Sequence, residues 1–113
     1  MQRDQQSLID ILDSISLIFE YLEATNWSQF ANNSKDQDAV IRRLTIIDEA
    51  TKRLSDELRD RHPEIPWKKM AGLRDVVVHK YDEIDLDVLR EIVDVNLPDV
   101  FRLLQPLLIQ PLP

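Results

Sequence analysis

An all-α protein, folded as one up-and-down four-helix bundle, is expected from three features of this 113-residue chain. Apolar residues recur at steps of three and four in separate stretches, the period of amphipathic helices. Short polar or proline-marked connections divide those stretches, which suits antiparallel neighbours. The one β-favouring run, Val76–Val78, has no second strand to pair with, so tertiary context favours helix there. With 43% apolar and 31% charged residues the chain has the balance of a globular protein, and its length allows one core rather than two. A single domain over residues 1–113 is therefore expected, with about 105–113, "QPLLIQPLP", as a poorly structured tail.

The first helix is expected from about Asp4 to Glu23, where Leu8, Ile11, Ile15, Ile18 and Leu22 form a stripe that Leu12 and Phe19 widen. "ATNWSQFANNSKDQ" breaks the period and forms a connection, with a short helical turn at Trp27–Phe30. Ser34 or Asp36 is expected to cap a second helix carrying Val40, Leu44, Ile47, Leu54 and Leu58 through about Arg61. At 3.6 residues per turn this helix runs for roughly seven turns, and Ile46 and Ala50 widen its apolar face.

"HPEIPW" stops that helix, and Pro66 suits the first position of a third, because its missing N–H has no helical partner there. The third helix is expected to carry Met70, Leu73 and the valines, with Gly72 allowing a close approach of two backbones. Asp85 is expected to cap the last helix, whose buried stripe is Leu86, Leu89, Ile92, Val93 and Val100. Pro98 should kink or divide it, since it removes one backbone hydrogen bond and crowds the preceding turn.

Composition narrows the function. With no cysteine and only His62 and His79, disulfides, thiolate chemistry and a multi-histidine metal site are disfavoured, and neither a metal nor another cofactor is expected. No apolar run reaches the about 18 residues of a membrane span and no secretory leader is evident, so the cytoplasm is expected and a membrane is not. The net charge of −7 opposes phosphate binding on average, but the charges are segregated. Trp67–Tyr81 holds Lys68, Lys69, Arg74 and Lys80 against Asp75 alone, whereas Asp82–Asp99 holds seven acids against Arg90.

The basic segment contains the chain's candidate site, "GLRDVVVHKYDEID", Gly72 to Asp85. A histidine that exchanges a proton near neutral pH, a guanidinium that grips phosphate at two points, and a hydroxyl together suit phosphodiester chemistry. Arg74 and His79 lie about 140° apart on an ideal helix, so they converge only if the helix ends or unwinds near His79. One chain also offers one such histidine, and a symmetric dimer would supply a second.

The string R-x-x-x-x-H-x-Y, here Arg74, His79 and Tyr81, lies within "PWKKMAGLRDVVVHKYDEID" and follows a long helix and a proline break. In this setting it resembles the HepT family of HEPN-domain proteins. The likeness extends over nearly the whole chain, including "RRLTIIDEATKRL" and "LREIVDVNLPDV". It implies a homodimeric ribonuclease toxin that cleaves RNA without a metal, partnered by a minimal nucleotidyltransferase as antitoxin. By motif position, Arg74 would bind the scissile phosphate, His79 would handle the 2′-hydroxyl proton or the leaving oxygen, and Asp75 would orient one of them. Tyr81 would be the hydroxyl that the antitoxin modifies with AMP, placing bulk and negative charge where the RNA phosphate sits. The alternative is a catalytically inactive helical dimer that serves as binding partner or substrate of the nucleotidyltransferase.

Overall fold

Helix α1 (Gln2–Glu23) buries Leu8, Ile11, Leu12, Ile15 and Ile18 completely, as its three/four spacing requires. Each such side chain favours the folded state by roughly 1.5–3 kcal/mol relative to exposure. A computed structural model describes residues 2–109, and residues 110–113 of the proline-marked tail lie outside them. The short turn α2 (Trp27–Phe30) starts where Asn26 accepts a hydrogen bond from the Gln29 amide, and it buries Phe30. Asn33, rather than Ser34 or Asp36, caps α3 (Ser34–Arg53) by accepting from the Asp36 amide.

The second helix is not continuous to Arg61. It stops at Arg53, Leu54 turns to an extended backbone, and α4 (Asp56–Arg61) begins again under a Ser55 cap. The reason is a tertiary contact. Buried Asp4 accepts from the Ser55 amide at 2.9 Å and from its hydroxyl at 2.7 Å, while Ser55 Oγ accepts from the Leu58 amide at 3.2 Å. Those bonds replace the helical ones that Ser55 would otherwise make. The same contact joins the start of α1 to the end of α3, and Arg53 adds a 3.4 Å pair with Asp10, so the two helices are antiparallel.

The third segment is also divided, into α5 (Trp67–Met70) and α6 (Leu73–Val77), and it packs across α3. Pro66 stands just before α5, and Trp67 is buried with its indole N–H donating to the His62 carbonyl at 3.0 Å. The expected close approach at Gly72 is absent: a Cβ there would meet only the Lys68 carbonyl, at an ordinary 3.8 Å. Val77 and Val78 anchor the segment in the core, whereas Val76 is exposed. Val78 departs from the helix expected for it. Its backbone is extended, and it pairs with Ile84 in an isolated antiparallel bridge, so the missing partner lies only six residues ahead.

Helix α7 (Leu86–Glu91) and helix α8 (Leu97–Leu104) form one joined leg, separated by a wide turn at Ile92–Asn96 in which the Leu97 amide reaches back to the Ile92 carbonyl. This is the expected effect of Pro98, whose ring crowds the carbonyl of Asp94 and lacks the donor that would close a normal turn. The leg runs back along α1. Gln5 donates to the Leu107 carbonyl at 3.0 Å and accepts from the Ile109 amide at 2.8 Å, which holds the short turn Gln105–Leu107 against the start of α1. The bundle thus comprises α1, α3, the α5–α6 segment and the α7–α8 leg, with no strand among the described residues. No described helix is long and apolar enough to cross a membrane.

Burial opposes the charge on Asp4, but the two hydrogen bonds from Ser55, together with nearby positive charge including Arg3, hold the carboxyl below its usual value. A lowered folded value means that stability is present above the unfolded pKa of about 3.9 and is lost as pH falls through the folded value. We expect Ser55→Ala to cost about 1–3 kcal/mol in urea unfolding at pH 7, and the cost to shrink below about pH 4.

Candidate active site

The site begins with an acid from another helix. Asp48 lies one residue after Ile47 and four after Leu44, on the buried side of α3, and only 6% of it is exposed. The Arg74 amide donates to both of its oxygens, at 3.2 and 3.3 Å. In an unbroken helix that amide would bond to the Met70 carbonyl. Asp48 takes it instead, which ends α5 and starts α6 with Arg74 in the first turn. The amides at a helix start need acceptors, and here a carboxylate supplies them across the bundle. Burial pushes the Asp48 carboxyl above its usual value, against the lowering effect of the Arg74 and Leu73 amides and of Lys52.

From this start α6 carries Arg74 and Asp75. The Arg74 side chain is about one-third exposed, and its guanidinium lies 3.6 Å from the exposed Asp75 carboxylate. Helix α6 ends at Val77, so the backbone departs from helical geometry before His79 is reached, as convergence of Arg74 and His79 requires. Three backbone bonds shape the next segment: Val78 donates to the Arg74 carbonyl at 2.8 Å, His79 to that of Glu83 at 2.8 Å, and Asp85 to that of Val77 at 2.7 Å. The result is a tight excursion leaving the core at Val78 and returning at Ile84.

At its outer end Tyr81 has a fully exposed side chain and a left-handed backbone, φ 62° and ψ 31°. That conformation costs a non-glycine residue roughly 1–2 kcal/mol. His79 is exposed, and its Nε2 lies 3.4 Å from Asp85 Oδ2. The other oxygen of Asp85 accepts from the Val88 amide at 3.1 Å and caps α7. The Val88 amide, followed by the His79 side chain, holds the Asp85 carboxyl below its usual value. Arg74, Asp75, His79 and Tyr81 therefore reach solvent from one short stretch of chain that buried Val77 and Val78 interrupt, with Arg74 and His79 held by different carboxylates. Among the described residues, no group of three or more His, Cys, Asp and Glu is arranged to hold a metal ion.

A family model described as "Ribonuclease HepT-like" matches residues 11–107, a span that takes in α3, the site and the whole α7–α8 leg. The chain belongs to the HepT-like ribonuclease family. A protein of Thermococcus cleftensis named "Probable ribonuclease HepT" is 38% identical over 101 residues, covering 88% of this chain and 92% of the relative. "Putative RNase MJ1380" of Methanocaldococcus jannaschii is 39% identical over 93 residues, covering 82% of this chain and 85% of the relative. A bacterial relative, "Putative RNase TTE0752" of Caldanaerobacter subterraneus, is 28% identical over 108 residues, covering 96% of each chain. No solved structure gave a significant match.

Two residues of this HepT-like site escape a reading confined to the motif. Asp85 is recognisable as a helix cap, but its second contact, to His79, depends on the path of the intervening loop. Asp48 leaves a fainter trace: a charged residue at helical spacing from Leu44, within the apolar stripe of α3, is a candidate for burial. Its partner cannot be named without the packing of α6 on α3.

The Asp48 contact separates the roles of charge and acceptor. A raised carboxyl favours the folded state most below its unfolded pKa and surrenders that contribution as pH rises through the folded value. We therefore expect Asp48→Asn, which keeps an oxygen for the Arg74 amide, to match or exceed wild-type stability at pH 7. Asp48→Ala leaves the amide unsatisfied and is expected to cost about 1–3 kcal/mol, measured by urea unfolding at the same pH.

Proposed function

We propose that this chain is the toxin of a HepT/MNT toxin–antitoxin pair: a cytoplasmic, homodimeric endoribonuclease whose chemistry rests on Arg74 and His79 and needs no metal. The observation that carries the reading is the division of α5 from α6. It puts Arg74 in the first turn of one short helix and His79 just beyond its last, both reachable from solvent, in a chain of a ribonuclease family. Two copies facing one another would supply two of each.

In the proposed reaction RNA lies across the paired sites with its scissile phosphate on the Arg74 guanidinium. One His79 imidazole takes the proton of the 2′-hydroxyl as that oxygen attacks phosphorus. The bond to the 5′-oxygen breaks, and the His79 of the second copy gives that oxygen a proton. The products are a 2′,3′-cyclic phosphate and a 5′-hydroxyl. Arg74 acts by countering the charge that accumulates on the non-bridging oxygens, and Asp75 holds the guanidinium in place. Lys68, Lys69 and Lys80 are exposed on the same run of chain and supply attraction for the RNA backbone despite the acidic total charge.

The regulatory part of the proposal concerns Tyr81. Its hydroxyl is open to solvent at the tip of the loop, where a nucleotidyltransferase can reach it. Attack of the phenol oxygen on the α-phosphorus of ATP would release pyrophosphate and leave AMP on the ring, two residues from His79. The same exposure is the observation that favours the second reading, an inactive helical dimer that is only the partner and substrate of the transferase.

Expression of the chain alone in bacteria, beside His79→Ala, separates the two. The nuclease reading expects growth arrest and RNA loss that disappear with His79→Ala; equal growth of both strains selects the inactive dimer. Co-expression with a minimal nucleotidyltransferase is expected to add the mass of AMP to the peptide containing Tyr81, and Tyr81→Phe to abolish it. In RNA-binding titrations, Lys68→Gln with Lys69→Gln should weaken affinity across sequences and reduce the slope of log K against log salt by about 1–2.

A further inference from the structure

His79 and Asp85 are joined by more than proximity. Asp85 is tied at three atoms: its amide donates to the Val77 carbonyl at 2.7 Å, its Oδ1 accepts from the Val88 amide at 3.1 Å, and its Oδ2 faces His79 Nε2 at 3.4 Å. The His79 amide donates to the Glu83 carbonyl at 2.8 Å, and this bond and that of the Asp85 amide are the two halves of one bridge. The Val78–Ile84 bridge closes the loop between them. The carboxylate therefore has little freedom to turn away: rotation that frees Oδ2 also disturbs the cap of α7.

An ionised carboxylate only accepts hydrogen bonds, so the imidazole nitrogen that faces it carries the proton. That assignment leaves the lone pair of a neutral His79 on Nδ1. We infer that Asp85 is a positioning residue of the nuclease site, which fixes His79 as the Nε2–H tautomer and leaves Nδ1 as the nitrogen that accepts the proton from the substrate. The inference rests on the nuclease reading above only in assigning His79 a proton to take. The tautomer is argued from the Nε2–Oδ2 contact and the ionised state of Asp85, whatever His79 does in catalysis. The lowered Asp85 carboxyl is in keeping with it, since the ionised form is the one that both the Val88 amide and His79 favour. Asp85 thus links the site to the last leg of the bundle, as Asp48 links it to α3.

The test is Asp85→Asn in the full-length protein, with Asp85→Ser as a second variant. Asn and Ser are good helix caps, so both are expected to keep the α7 start and the wild-type melting temperature within a few degrees. Asn turns an N–H toward Nε2 and favours the opposite tautomer; Ser leaves that nitrogen without its carboxylate. On an RNA substrate kcat is expected to fall about tenfold to a hundredfold with KM changed less than about twofold. Nitrogen-15 shifts of the His79 ring should show Nε2–H in the wild type and a shift toward Nδ1–H in Asp85→Asn. Wild-type kcat in both variants, while His79→Ala is inactive, would overturn the inference, as would identical ring shifts in wild type and Asp85→Asn. Should His79→Ala retain full activity, the nuclease reading fails and the ring shifts alone decide whether Asp85 positions the imidazole.

Discussion

The capture of the Arg74 amide by Asp48 is the contact on which the rest of the site depends. Backbone amides at a helix start need acceptors, and a carboxylate buried on the side of α3 supplies both of its oxygens to one of them. The cost is the burial of a charge, visible in the raised Asp48 carboxyl. The gain is a defined break in the third segment. Without it α5 would run on past Ala71, and Arg74 would lie in a helix interior rather than in a first turn. Since α6 is only five residues long, fixing its start also fixes where Val77 enters the core and where the chain leaves it.

Beyond α6 the backbone resolves a conflict between anchoring and exposure. Val77, Val78 and Leu89 are buried on either side of the loop, while Tyr81 between them is wholly exposed. The chain makes this excursion with one bridge of two backbone bonds across its neck, and with Tyr81 in the left-handed region at its tip. The left-handed residue costs roughly 1–2 kcal/mol, which the buried flanks offset. A loop built in this way offers polar side chains at its surface from a rigid base, the arrangement that chemistry on a large substrate requires.

Acids perform the structural tasks at three places. Asp4 organises the Ser55 corner, Asp48 starts α6, and Asp85 caps α7 and holds His79. Each sits where a helix begins, so part of the acidic excess of this chain neutralises the positive ends of helix dipoles rather than facing solvent. The bases of the site segment remain on the surface. Arg90, the one base of the acidic stretch that follows, lies over the Trp27 ring at 5.3 Å and helps to hold α2 against the last leg. The total charge therefore says little about the field near Arg74.

The apolar periods of α1 and α3, the proline break, the Asp85 cap and the disturbance before Pro98 were all legible in the sequence, because each follows from local rules of spacing, capping or proline geometry. Arg74, His79 and Tyr81 stand out as a candidate site through a motif whose members are close in the chain. What the sequence could not decide was where long helical patterns are cut. The breaks at Ser55 and before Leu73 depend on Asp4 and Asp48, acids 51 and 26 residues from the amides they bind. Nor could it show that Val78 would find a bridge partner in Ile84, or that one carboxylate would serve both His79 and α7. The sequence by itself determined which segments are helical and which side chains could do chemistry. Only the tertiary structure decided how those side chains are held, because a buried carboxylate chooses its amide by packing and not by distance along the chain.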